Sequence, residues 1–331
     1  AGERSLRGQA PQAFALTPAR IGYNAGMTSL AGPALCIAMN PSVDLSTHTD
    51  RVVPADKLRC GPALRDAGGG GLNVASVVHR LGGHSSALFM AGGAPGHWLT
   101  QHLQQAGLPA HALPITQDTR ENFTVQAMDT GSEYRFVLPG PTLSEQEWHA
   151  SLRAVKQWPE ALSFVVASGS LPPGVPADFY ARLAQAAHQR GVRLVLDSSG
   201  PALAAALQAG VFLVKPNLRE LRELTGLPLD TAQAWRAAAQ ALVDRGQAGV
   251  VALTLGDRGA LMLSREGAWQ AEALPIDVAS SVGAGDSFVG AMVWALQQGH
   301  TLPQAFGWAM AAGSAALLTP GTGLCLPQDV R

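Results

Sequence analysis

The strongest constraint on this chain is a repeated exchange between two hydrophobic periods. The short apolar runs PALCIAMN, SSALFMAG, SFVVASGS, VRLVLDSSG, VFLVKPN and GVVALTLG fall between residues 33 and 256. They are too continuous to alternate between core and solvent, so each reads as a strand buried on both faces. Between them stand GLNVASVVHRLGG, HWLTQHLQQAG, ADFYARLAQAAHQRG and TAQAWRAAAQALVDRG, each with one apolar helical face and a glycine near its end. This exchange predicts an α/β chain with three layers, a mostly parallel central sheet covered by helices on both sides. One segment breaks the pattern. Residues 121–140, ENFTVQAMDTGSEYRFVLPG, read as two alternating strands about an Asp129-Thr130-Gly131-Ser132 turn, an antiparallel hairpin. With residues 44–60 it predicts a small β-sheet lid over one end of the main sheet. Residues 31–331 are expected to form a single domain, with lid segments at about 42–65 and 119–138. Residues 1–30 carry no sustained period and read as a tail.

Charge narrows the partners. Lys plus Arg total 23 against 24 for Asp plus Glu, a net charge of −1, which gives no electrostatic case for nucleic acid or an anionic membrane. A small ligand is expected instead. Cys36, Cys60 and Cys325 are far apart and form no CxxC pair, which argues against a disulfide framework or a zinc knuckle and predicts a reducing, cytoplasmic setting. No apolar run is long enough to cross a bilayer.

Three stretches carry candidate chemistry. In SSVGAGDSFVGAMVWAL, residues 280–296, two glycines lead into Asp286 at the head of a helical pattern. A helix N-terminus attracts anions through its unpartnered amides, so a carboxylate there needs a purpose. Phosphoryl transfer to an alcohol supplies one. The Gly283–Gly285 turn offers the amides of Ala284, Gly285 and Asp286 to the transferring phosphate, while the carboxylate accepts the alcohol proton. A dinucleotide fingerprint fits poorly because Phe288 stands where the third glycine belongs, and no Gly-Lys pair exists for a Walker A loop. The alternative is a simple packing turn.

In DAGGGGLNVASVVHRLGG, Gly69 and Gly70 leave bare backbone for a polar ligand and Asn73 offers both a donor and an acceptor; the alternative is a flexible loop. In VKPNLREL, Lys215 ends a strand and Asn217 and Glu220 lie one helical turn apart. They suit magnesium-bound phosphates directly or through water, or else a plain helix cap. The following strand ends in TLGDRGA, residues 254–260, a glycine turn against which a nucleotide could lie. Lys57, Arg59 and Arg120 bring positive charge from the lid segments toward an anionic substrate, or are solvated surface charges.

Together AGGGGLNVASVVHRLGG, SSVGAGDSFVGAM and the intervening VKPNLREL resemble the signatures of the ribokinase-like PfkB carbohydrate kinases, in the family's order and over about residues 34–327. NPSVD, KLRC, the all-glycine run, YRFVLPG and SGSLPPGV look most like the branch acting on fructose 6-phosphate. Branches acting on tagatose 6-phosphate or fructose 1-phosphate are the alternatives, with a catalytically silent sugar-phosphate-binding regulator as a reading from another class. The resemblance implies ATP and Mg2+, glycolytic transfer of the γ-phosphoryl group to the C1 hydroxyl, and a homodimer joined through the lid. It makes Asp286 the base and assigns Asp44, Gly69, Gly70 and Asn73 to the sugar hydroxyls. Arg120 and Ser170 go to the sugar's phosphate end, with Arg59 also on the substrate side. Lys57 reaches the transferring phosphate, and Lys215, Asn217, Glu220, Thr254, Gly256, Gly259 and Ser314 surround ATP. Glu220 meets Mg2+ through water, and a monovalent cation such as K+ is implied near Ser280, Val282, Ala316 and Gly321. The chain departs from that branch at Thr319 and Gly323, where a polar amide and an arginine are usual, and at Val278, where a serine is.

Overall fold

The computed structural model describes residues 30–319, 321 and 323–330, so nearly all of the expected tail lies outside the described residues. Strands β1 (Ala34–Ala38), β2 (Ser42–Thr49) and β3 (Leu64–Gly68) lead into α1 (Gly70–Arg80), then β4 (Ser85–Ala91), α2 (Gly93–Gln105) and β5 (Ala110–Pro114). The hairpin β6 (Arg120–Ala127) and β7 (Glu133–Phe136) follows, then α3 (Glu145–Lys156), β8 (Phe164–Ser168), α4 (Phe179–Gln189), β9 (Arg193–Asp197) and α5 (Gly200–Ala209). Next come β10 (Val211–Val214), α6 (Leu218–Thr225), α7 (Ala232–Asp244), β11 (Ala248–Thr254), β12 (Ala260–Ser264) and β13 (Gly267–Ala271). Helices α8 (Ala284–Gln297), α9 (Leu302–Leu317) and α10 (Pro327–Val330) complete the described chain.

The main sheet has nine strands in the order β13-β12-β11-β10-β9-β8-β1-β4-β5. From β5 to β11 every pairing is parallel, and only β12 and β13 run antiparallel. All six apolar runs are strands of this sheet. Their continuity has the expected cause, because side chains of one strand feed two cores. In β1, Leu35 and Ile37 join Trp148, Leu183 and Leu203 on the α3–α7 side. Ala34, Cys36 and Ala38 join Leu72, Leu99 and Phe288 on the side of α1, α2, α8 and α9. Strands β5, β12 and β13 were not anticipated. Strand β5 is a half-exposed edge that ends in proline, and β13 is largely exposed, so neither carries the buried-strand signature.

The second sheet has the order β3-β2-β6-β7. Strand β6 pairs antiparallel with β7, as the turn between them predicts, and β2 joins β6 in parallel. Residues 50–63 of the expected lid segment are the connection from β2 to β3 rather than strand. Register brings Leu45, Phe123 and Phe136 side by side on one face of this sheet. Phe123 is 42% and Phe136 56% exposed, with Tyr134 on the same face also open, so the outer part of this face is apolar and exposed, while Leu45 packs against the core.

Order in the main sheet decides where a ligand can enter. From β1 the chain goes to β4 and β5 on one side, while β8 to β11 build out on the other, so the strand order reverses between β1 and β8. A crevice outside the carboxyl ends of the strands at such a reversal is the favoured ligand site of an open α/β sheet. Helices α1 and α8 both start there, and they pack with little between them. A methyl group at Gly290 would lie 2.6 Å from both Cβ and Cγ1 of Val77 on α1. Gly290→Val is therefore expected to overpack this contact and lower stability by about 1–3 kcal/mol, read as a lower urea midpoint at unchanged slope. Val77→Ala in the same background should restore part of the loss.

Candidate active site

The crevice gathers polar residues from the ends of four strands and the starts of two helices. Asn40 follows β1, Ser168 ends β8, Asp197 ends β9 and Lys215 follows β10, each where its strand leaves the core. Asp286 is the third residue of α8, whose cap is Gly283 in the left-handed region at φ 77°. The Gly283 carbonyl accepts from the Ser287 amide at 2.8 Å, so the amides of Ala284, Gly285 and Asp286 belong to the first turn and have no partner within the helix. They are free donors at the helix start that the glycine turn predicts.

Two hydrogen bonds fix the Asp286 carboxylate. Asn73 Nδ2 donates to Oδ2 at 2.9 Å from α1, and Ser168 Oγ donates to Oδ1 at 3.1 Å from β8. Burial deep in the crevice, and then the nearby Asp197, push the Asp286 carboxyl above the ordinary aspartate range; the bonds from Asn73 and Ser168 and the Lys215 charge oppose them. The opposing charge comes from a buried ion pair. Lys215 Nζ lies 3.2 Å from Asp197 Oδ1, with the lysine side chain 7% and the aspartate 16% exposed. Burial pulls the ammonium down, but Asp197, Glu220 and Asp286 outweigh it and hold Lys215 above the usual lysine range, fully charged at neutral pH. A methyl group on Gly285 would come 3.4 Å from Lys215 Nζ, which places the ammonium beside the first turn of α8.

Asn217 and Glu220 form a reciprocal cap at the start of α6. Asn217 Oδ1 accepts from the Glu220 amide and Glu220 Oε2 from the Asn217 amide, both at 2.9 Å. The cap reading of NxxE is the one the hydrogen bonds show, and it leaves Oε1 of Glu220 outside the cap. Burial first, with Asp197 adding to it, raises the Glu220 carboxyl above its ordinary value against the bond from the Asn217 amide and the Lys215 charge.

Beside these groups a cleft of about 880 Å³ opens to solvent between α8, α9 and the turn after β11. It contains Asn217, Thr254, Gly256, Gly259, Gly285 and Ser314. Leu274, Phe288, Met310 and Leu317 give it apolar walls, which suits a flat ring with its polar end toward α8. Gly259 is required there, since it sits at φ 82° and a side chain would overlap the Ala271 carbonyl.

On the other side of Asp286 lies the lid. Asp44 Oδ1 accepts from Ser42 Oγ at 2.6 Å and Asn122 Nδ2 at 2.8 Å, and its carboxylate lies over the bare backbone of Gly68. Gly69 turns the chain into α1 at φ 109°. Arg120 donates to the carbonyls of Leu138 at 3.1 Å and Asn40 at 3.0 Å, tying the chain after β7 to the end of β1, while its Nε is buried without a partner. Asn40 Nδ2 donates in turn to Ser170 Oγ at 3.1 Å. Lys57 and Arg59 lie exposed on the connection between β2 and β3, outside this network. Ser280 and Val282 come next to the end of α9, where Ala316 is buried, because the Ala279 amide donates to the Leu317 carbonyl at 2.8 Å. Gly321, at φ 68°, follows that helix end. Among the described residues no three His, Cys, Asp or Glu side chains are grouped to hold a metal.

Ser168 and Asp197 were missed from sequence. Their signal was present, since each is the polar residue that terminates a buried apolar run, SFVVAS and VRLVLD.

A family pattern described as the pfkB family carbohydrate kinase matches residues 37–329. The ATP-dependent 6-phosphofructokinase isozyme 2 of Mycobacterium tuberculosis is 46% identical over 297 residues, covering 90% of this chain and 87% of that protein. The crystal structure of phosphofructokinase-2 from Escherichia coli with fructose-6-phosphate superposes with a TM-score of 0.84 at 40% identity, covering 90% of this chain and 96% of that one. The same enzyme with potassium gives 0.85 at 41%, with the same coverage. Because the likeness spans both glycine turns, the capped NxxE segment and the small four-stranded sheet, this chain belongs to the pfkB family of carbohydrate kinases.

Proposed function

We propose that this protein transfers the γ-phosphoryl group of ATP to the C1 hydroxyl of fructose 6-phosphate, giving fructose 1,6-bisphosphate and ADP. The observation that carries the reading is the position of Asp286, a doubly hydrogen-bonded carboxylate at the head of α8 between an apolar cleft and a polar lid. The nucleotide occupies the cleft, and Asp44, Gly69, Gly70 and Asn73 face the sugar hydroxyls. Arg120, whose Nε has no partner, and Ser170 serve the sugar's phosphate end, with Arg59 also on the substrate side, and Lys57 reaches the transferring phosphate from the lid connection. The similarity to a phosphofructokinase-2 solved with fructose-6-phosphate supports the choice of acceptor.

In the reaction the C1 oxygen bonds to the γ-phosphorus, its proton passes to Asp286, and the bond to the bridging oxygen of ADP breaks. The transition state is loose, so positioning and charge stabilisation carry most of the work. First-turn amides of α8 receive the charge on the transferring oxygens, and buried Lys215 adds a fixed positive charge beside them. Glu220, whose Oε1 lies outside the cap, would hold magnesium through water, with phosphates and water as its main ligands. When bound, Mg2+ neutralises charge on the β- and γ-phosphates. The turn formed by Ser280, Val282, Ala316 and Gly321 is our site for K+, supported by the potassium complex of the similar enzyme.

We also propose a homodimer joined through the lid. The exposed patch of Phe123, Tyr134 and Phe136 has no core of its own, and a small sheet gains stability by burying such a face against an identical copy.

ADP release measured with ATP, Mg2+ and a panel of fructose 6-phosphate, tagatose 6-phosphate and fructose 1-phosphate should give the highest kcat/KM for fructose 6-phosphate. Preference for either other sugar reassigns the acceptor. No ADP release with any of them would support the silent regulator.

Asp286→Asn should reduce turnover by roughly 10²-fold or more, the usual scale for a positioned base. In the parent protein the acid limb of kcat should reflect one proton, with a midpoint above the ordinary aspartate range. The same shift fixes the stability effect. A carboxyl whose folded pKa exceeds its unfolded one costs stability as pH rises through that window, so the neutral asparagine variant should unfold no earlier than the parent at pH 7.

Phe123→Asp should convert the dimer to monomer in sedimentation velocity and lower activity in step. A fully active monomeric parent at assay concentration would overturn the lid interface.

A further inference from the structure

The roles of Ser168 and Gly70 are open to a closer reading of the same crevice. Gly70 is the first residue of α1 and has no unusual dihedral, so no turn demands glycine there. Its surroundings do. A methyl group at this position would overlap the Ser168 hydroxyl and come within 2.9 Å of Asp286 Oδ1. It would strike both atoms joined by the 3.1 Å hydrogen bond from Ser168 Oγ to Asp286 Oδ1, and the Ser168 Cβ at 2.8 Å. Ser168 itself is 4% exposed at the end of a strand whose other residues are all buried, so its hydroxyl has little freedom to find another partner.

We infer that Ser168 is a positioning residue for Asp286, and that Gly70 is bare chiefly to leave room for the hydrogen bond between them rather than to admit the sugar. The inference rests on Asp286 acting as the base. Two donors on two different oxygens, Ser168 from β8 and Asn73 from α1, hold the carboxylate plane against rotation. Each oxygen keeps a further lone pair, so the substrate proton is accepted without breaking either bond. The hydrogen bond from Ser168 also favours the ionised carboxylate, which is the form that accepts a proton. The other groups bearing on Asp286 are Asp197 from β9, which opposes ionisation, and Lys215 after β10, which favours it; Glu220 from α6 acts on the Lys215 charge.

The test measures kcat against pH, and KM for both substrates, in the parent, Ser168→Ala, Gly70→Ala, the double variant and Asp286→Asn. Ser168→Ala removes one buried oxygen and is expected to fold with an unchanged urea midpoint to within the effect of a single hydrogen bond. Its kcat should fall about tenfold, with both KM values within about twofold of the parent, as for an interaction felt mainly in the transition state. Its acid limb should move to higher pH, a change that general loosening of the fold would not produce. Gly70→Ala should lower kcat similarly, and the double variant should be no slower than the slower single variant, because both changes remove the same bond. Multiplying effects, or a Gly70→Ala defect confined to the KM for fructose 6-phosphate, would return Gly70 to a sugar-contact role and overturn the coupling. Parent-like kcat and an unmoved acid limb in Ser168→Ala, with Asp286→Asn inactive, would overturn the positioning role alone. Normal turnover in Asp286→Asn would instead overturn the underlying assignment of the base.

Discussion

The site depends on how closely α1 can approach β1, β8 and α8. Side chains at three glycines would prevent it. Gly71 lies against the Ile37 carbonyl of β1, Gly70 against Ser168 of β8, and Gly290 against Val77 where the two helices meet. Cores resist added volume because they are already packed at crystal-like density, so these glycines set a distance rather than provide flexibility. With α1 this close, Asn73 reaches Asp286 from a different helix. A longer separation would leave the carboxylate with Ser168 as its one hydrogen-bonding anchor.

Charge is arranged around the same point with little waste. Asp197, Glu220 and Asp286 would repel one another in a crevice of low dielectric, and Lys215, one of three lysines in the chain, sits among them. Such a pair is weak evidence for stability, since removing the charges from water offsets much of their attraction. Its consequence is functional. A lysine kept charged at 7% exposure presents a fixed cation next to the amides of α8, and the Glu220 and Asp286 carboxyls stay above their ordinary pKa values. The strain between carboxylates is thus placed where phosphate chemistry can use it.

The lid is joined to this centre through backbone as much as side chains. Arg120 holds the carbonyls of Asn40 and Leu138, and Asn40 holds Ser170, so movement of β6 is felt at the ends of both β1 and β8. The apolar outer face of the same sheet gives it a second attachment to make, outside the chain. One small sheet therefore has a polar side facing the crevice and an apolar side that requires cover, the alternation inherent in any strand.

The six strands β1, β4 and β8–β11 were legible because burial on two faces leaves a continuous apolar run that few other structures would tolerate, whereas β12, equally buried, was passed over beside its glycine turn. The glycine turn before Asp286, the capped Asn217 and Glu220, and the β6–β7 hairpin were legible because each depends on neighbours within a few residues. Edges were not, since β5 and β13 are held by pairing with a strand elsewhere and carry half-exposed sequences. Nor were the partners of Asp286. Asn73 lies 213 and Ser168 118 residues from it, and only the packing of α1 and β8 against the start of α8 brings the three together. The sequence by itself determined which segments are buried and where backbone must be bare, because those are matters of local period and side-chain size. Tertiary structure decided that Gly70 is bare for the sake of Ser168 and Asp286, and that Lys215 answers Asp197, because distance between remote residues is fixed by packing and leaves no local pattern.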